Sequence, residues 1–153
     1  MNYRRLFISL ILPQLAGFIG SIFMIGRLND WFYALHKPIF YPPEWLFGPV
    51  WITLYILMGL ASYLVWQRNT RSALKTNQIY WIHLIFNALW TILFFYFQSI
   101  SLALVDIIIL WCLILALIFL FNRENKISAI LIIPYFLWVS FATLLNLSIL
   151  ILN

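Results

Sequence analysis

Apolar residues run almost unbroken through five stretches of this chain, about Leu6–Gly26, Trp45–Trp66, Ile79–Phe97, Leu102–Phe121 and Ile127–Leu152. Each is close to the roughly 20 residues that a helix needs to cross a hydrocarbon core about 30 Å thick, so the pattern predicts five transmembrane helices. Charges punctuate the gaps, except in the short Gln98-Ser99-Ile100-Ser101 hairpin, which forces the third and fourth helices to be antiparallel neighbours. The start of the chain, Arg4-Arg5 followed by Leu6–Leu12, has the basic and apolar regions of a secretory signal. No small-x-small cleavage site follows, and the apolar run continues past Pro13 to Ile25, which predicts a retained first helix.

Composition agrees. The chain is 65% hydrophobic and 8% charged, against about 25% charged residues in a soluble domain. The fold class expected is an all-α membrane bundle of five helices, with residues 1–153 forming one domain. A net charge of +5 is spread too sparsely to suggest a nucleic-acid partner. The single cysteine, Cys112, excludes an internal disulfide and lies in an apolar run, as a core or lipid-facing residue. His36 and His83 have no ligand-spaced partners, so no protein metal site is expected.

Charge also sets the orientation. Arg4, Arg5, Arg68, Arg71, Lys75, Arg123 and Lys126 collect on one side, and only Arg27 and Lys37 on the other. In a bacterial plasma membrane this places the N-terminus in the cytoplasm, with the first loop and the C-terminus outside. That first loop, Arg27–Pro43, is long enough to act as a lid, at about 17 residues. Trp31, Phe32, Tyr33, Leu35 and Phe40 make it too aromatic for a free linker. They read either as an interfacial belt or as a segment folded back over the outer end of the bundle.

The chain contains 8 tryptophans, and Trp51, Trp90, Trp111 and Trp138 fall well inside apolar runs rather than at the interfaces where Trp collects. Each indole N–H needs a partner. Asn87 and Trp90 share a helix face at i,i+3, with Phe94 a turn further. Trp138, Ala142 and Asn146 form an i,i+4,i+8 stripe, and Trp51 and Tyr55 another. At about 1.5 Å rise per residue these stripes reach similar depths in the outer half of the bundle. Their convergence predicts a pocket for a flat apolar ligand, with small Ala142 leaving space. Asn87 and Asn146 serve either as interhelical hydrogen-bonding groups or as ligand contacts. Asp106 reads as a structural residue, paired or protonated. Gly17-x-x-x-Ser21 is a small-xxx-small pattern that fits packing within the chain or a homodimer seam.

The same residues carry a resemblance. Trp31-Phe32-Tyr33-Ala34-Leu35-His36-Lys37-Pro38, then Pro42-Pro43-Glu44-Trp45-Leu46-Phe47-Gly48-Pro49-Val50-Trp51, closely resembles the signature of the TspO/translocator-protein family, also called tryptophan-rich sensory proteins or peripheral-type benzodiazepine receptors. Asn87-Ala88-Leu89-Trp90, Ala103–Asp106, Pro134-Tyr135, Trp138 and Phe141–Asn146 extend it in order over nearly the whole chain. The resemblance implies a five-helix bundle, often a homodimer in membrane lipid, with a pocket closed by the first loop. It implies no intrinsic cofactor, and porphyrins such as protoporphyrin IX or haem, or isoquinoline and benzodiazepine drugs, as ligands. Carried over by motif, the ligand-binding residues are Trp31, Trp51, Tyr55, Asn87, Trp90, Trp138, Ala142 and Asn146. Light- and oxygen-dependent breakdown of protoporphyrin is associated with bacterial members, and Trp51 and Trp138 would then be catalytic. The functions to separate are a tetrapyrrole binder or sensor, a photo-oxidative enzyme and a porphyrin transporter. Two departures stand out. Phe32 replaces the family's Tyr, removing a hydroxyl, and Leu147 follows Asn146 where a cholesterol motif needs Tyr.

Overall fold

A computed structural model describes residues 2–26 and 30–153. The helices are α1 (Tyr3–Met24), a short α2 (Asp30–Ala34), α3 (Phe47–Trp66, led by a 3₁₀ turn at Glu44–Leu46), α4 (Arg71–Thr91), α5 (Ile100–Glu124) and α6 (Lys126–Leu152). Five of these, all but α2, are long and apolar enough to cross a membrane. Polar caps fix where they begin. Asn2 accepts from Arg5 N, Thr70 from Ala73 N, Ser99 from Leu102 N, and Asn125 from Ile127 N, each satisfying an orphan N–H of a first turn. The Thr70 cap explains why the third span starts at Arg71 rather than Ile79. Its first two turns project Arg71 and Lys75 outward while burying Ala73 and Thr76, which an apolar run does not register.

α4 ends in a π turn, Ile92–Tyr96, with Phe97 N donating to Ile92 O. The wider turn lets two successive rings, Phe94 and Phe95, both be buried.

The principal contacts place the spans in a closed ring, in the order α1, α3, α6, α5, α4 and back to α1. At one end of that ring Arg5 donates to Trp66 O (2.8 Å) and to Asn69 Oδ1 (2.9 Å), and Arg68 donates to Glu124 O (2.9 Å). Guanidinium groups on these late helical carbonyls complement the negative ends of α3 and α5. This is the end that collects the seven cations; Arg27 lies outside the described residues.

α3 and α4 also touch across the ring. Ser62 donates to Asn77 Oδ1 (2.8 Å) and Tyr55 to Asn87 Oδ1 (3.0 Å). Below that level the ring is filled by fully buried Met58, Tyr80, His83, Ile114, Leu117 and Tyr135. The main cavity lies in the half nearer the first loop.

α1 is seated by glycines. A Cβ on Gly59 would lie 2.6 Å from Ser9 O and 3.0 Å from Leu10 Cα, one on Gly17 would overlap the Tyr55 ring, and one on Gly20 would lie 3.1 Å from Thr91 Oγ1. Gly17 is therefore used inside the chain, against α3. Cys112 is exposed on the outer face.

Candidate functional site

The space left in the loop half of the ring is a cavity of about 570 Å³, inside the range of roughly 300–1,000 Å³ usual for small-molecule sites. Trp51 and Tyr55 of α3, Asn87 and Trp90 of α4, and Trp138, Ala142 and Asn146 of α6 all border it. The three helical stripes expected to converge do converge. Trp31 does not border it. Its ring packs edge-on against Phe94 at 5.8 Å, and Phe94 is the wall residue. Phe32 takes the place expected of Trp31, buried against Phe95 at 5.3 Å and facing the cavity. Tyr33, the neighbouring hydroxyl, is exposed and is not part of the wall.

Sequence reasoning also missed the α1 side (Gln14, Gly17, Phe18 and Ser21) and the α5 side (Ile107 and Leu110). The signals on α1 are Gln14, a polar residue inside the apolar run, and the Gly17/Ser21 spacing. Phe18 and Ile52 border the cavity and yet are exposed, and a Cβ on Gly48 would meet nothing within 4 Å. The wall is thinnest there, between α1 and α3, on the flank that faces lipid in a membrane.

The polar groups divide into spent and unspent. Asn87 accepts from Tyr55 and donates to Tyr135 Oη (3.0 Å), linking α3, α4 and α6. Trp90 Nε1 donates to Asn146 Oδ1 (3.0 Å), and Asn146 Nδ2 donates to Ile100 O (3.1 Å), linking α4, α6 and α5. Both asparagines thus act as interhelical ties, each bond worth about 0.6 kcal/mol on average in a membrane. Trp111 Nε1 is spent similarly, donating to Ser140 Oγ (2.8 Å). Trp138 Nε1 is different: it is buried, lacks a hydrogen-bond partner among the described residues, and belongs to a wall residue. A buried donor without a partner costs about 1–3 kcal/mol, which a ligand acceptor would recover. Asp106 is also buried, and neither oxygen is hydrogen-bonded among the described residues, so of the two states expected for it, paired or protonated, the pairing is not made there; it does not border the cavity.

The rings form a nearly continuous apolar surface. Trp51 lies 5.4 Å from Tyr55 and 6.1 Å from Tyr135, Phe47 lies 5.8 Å from Trp138, and Trp90 stacks on Phe94 at 5.3 Å. These spacings match those at which aromatic pairs attract.

Residues 30–43 of the first loop fold over this end of the bundle. Phe40 packs on Phe141 (6.2 Å) and Tyr41 on Phe47 (5.9 Å). The Asn153 side chain accepts from His36 N (2.9 Å) and donates to His36 O (3.0 Å), which ties the loop to the end of α6. The Lys37 ammonium sits 4.0 Å above the Phe32 ring and 3.6 Å from Glu44 Oε1. Burial, then the nearby Glu44 carboxylate and Tyr33, push the Tyr41 hydroxyl up to about 12, so it remains a donor at neutral pH.

The sequence model of the TspO/MBR family matches residues 9–152. The chain is 36% identical to the tryptophan-rich protein TspO of Archaeoglobus fulgidus, covering 100% of this chain and 99% of that protein. It is 41% identical to the tryptophan-rich protein TspO of Chlorobaculum tepidum, over 90% of this chain and 88% of the other. Similarity extends to the translocator protein of Homo sapiens, 36% identical over 88% and 81% of the two chains.

Proposed function

The chain belongs to the TspO/MBR family and is an integral membrane protein, and we propose that it binds a tetrapyrrole such as protoporphyrin IX or haem in the loop-half cavity. Isoquinoline or benzodiazepine drugs compete for the same space. The observation that carries this reading is the wall itself: three indoles on three helices, with the Trp138 N–H buried and without a partner among the described residues, around about 570 Å³. Stacking and apolar burial supply affinity, and Trp138 orients an acceptor on the ligand. The first loop acts as the lid, and its closure reports occupancy. A bacterial plasma membrane with the cationic end of the bundle in the cytoplasm fits the charge asymmetry.

One observation favours a second reading. Trp51 and Trp138, on α3 and α6, both border the cavity, so a bound porphyrin excited by light in the presence of oxygen would have two oxidisable indoles within reach. The protein would then degrade its ligand, with O₂ as the oxidant.

Titration of protoporphyrin IX in the dark, into protein in lipid nanodiscs, tests the first reading. Saturable quenching of tryptophan emission, reversed by an isoquinoline competitor, is expected. Partitioning no different from that into empty nanodiscs would rule binding out. Illumination under oxygen then separates the readings. If the indoles react, a Trp51→Phe/Trp138→Phe variant loses product formation but keeps much of its binding, whereas an absence of protein-dependent product leaves binding alone.

A further inference from the structure

The cavity has a marked charge pattern. Among the described residues, its wall holds one carboxylate, Glu44, and no lysine, arginine or histidine. A carboxylate carried into such a space would lose its hydration without gaining a counter-charge, at a cost that apolar contact does not offset. A tetrapyrrole bearing carboxylates along one edge must therefore leave that edge outside.

Among the described residues, Lys37 is the sole lysine or arginine at the loop end. Three of its neighbours belong to the cavity wall: Phe32, whose ring centre is 4.0 Å away, Tyr41 at 4.9 Å and Glu44 at 3.6 Å. The aromatic faces hold the ammonium in place without neutralising it. Its pairing with Glu44 is loose. At 3.6 Å it is longer than a charge-assisted hydrogen bond of about 2.7–2.9 Å, and Glu44 is half exposed. The Tyr41 hydroxyl, which makes no hydrogen bond among the described residues, adds a second donor beside it.

We propose that Lys37 is the anchor for the carboxylate edge of the ligand, and that Glu44 is the built-in competitor it displaces. This rests on the tetrapyrrole reading above and adds an orientation to it. The apolar edge of the ring points down toward Tyr55, and the carboxylate edge sits at the loop. Glu44 thereby opposes anionic ligands, and Lys37 selects them once they displace it.

The experiment compares protoporphyrin IX with its dimethyl ester, which has the same ring and no charge. Lys37→Met should weaken binding of the diacid about five-fold, the scale of one exposed ion pair, and leave the ester within two-fold. Lys37→Arg should restore the diacid. Glu44→Gln should act in the opposite direction, tightening the diacid and sparing the ester. If Lys37 and Glu44 merely clamp the loop, both variants weaken both ligands alike, and the assignment is overturned. Equal affinity of the two ligands for every variant overturns it as well. Failure of both ligands to saturate the wild-type protein would sink the tetrapyrrole reading itself, an outcome distinct from saturation by both without discrimination.

Discussion

Ala142→Trp is expected to weaken ligand binding at least about tenfold while leaving the bundle folded. Ala142 lies between Trp138 and Asn146 on the stripe of α6 that borders the cavity. An indole added there grows into about 570 Å³ of space rather than into a neighbouring helix, so the overpacking that normally destabilises a core by about 1–3 kcal/mol is avoided. The ligand loses that volume. A loss of at least about 1.4 kcal/mol, or tenfold in affinity, is the expected minimum. Quenching titrations read the affinity, and thermal melts in the same nanodiscs read the fold. A variant that binds like the wild type would place the ligand elsewhere.

Gly59→Val has the opposite character, striking the fold first. At Gly59 the two nearest atoms a side chain would meet are backbone atoms, Ser9 O at 2.6 Å and Leu10 Cα at 3.0 Å. No rotamer change relieves that overlap; α1 must move bodily away from α3. A destabilisation at or above the usual overpacking cost of about 1–3 kcal/mol is expected, with Gly59→Ala the milder of the two. Because α1 and α3 also form one wall of the cavity, binding should fall with stability. Unfolding in mixed micelles by graded denaturing detergent measures the first effect. Wild-type stability for Gly59→Val would mean that the α1–α3 seam is looser than its geometry.

The contrast between these substitutions reflects what the chain discloses about itself. Helical spans are legible because apolar length is a one-dimensional property, and the stripes of α3, α4 and α6 are legible because i,i+4 spacing fixes a face. The face of α1 was not. Most of its residues are apolar, and only Gln14, Gly17 and Ser21, within a turn of Phe18, separate the cavity face from the lipid-facing ones. Trp31, which the resemblance assigns to the pocket, packs behind Phe94 for a related reason. A loop has no period, and which of two adjacent aromatics faces inward depends on how the loop docks on Phe94 and Phe95.

Hydrogen-bond occupancy was legible only as an alternative. Asn87, Trp90 and Asn146 look available to a ligand until their partners on other helices are known. Those partners occupy Asn87, Trp90 and Asn146, whereas the Trp138 N–H in the cavity wall has no partner among the described residues. Lys37 and Glu44 belong to the same class. They read as two scattered charges, and only folding sets them 3.6 Å apart at the cavity's rim.

The most direct measurement is a structure of the wild-type protein in nanodiscs with protoporphyrin IX bound. The account predicts the ring in the loop half of the bundle, between the Trp51 and Trp138 walls, with its carboxylate edge at Lys37 and an acceptor on Trp138 Nε1. A ring on the outer lipid-facing surface, such as the shallow groove beside Trp111 and Ser140, with the central cavity unoccupied, would contradict it.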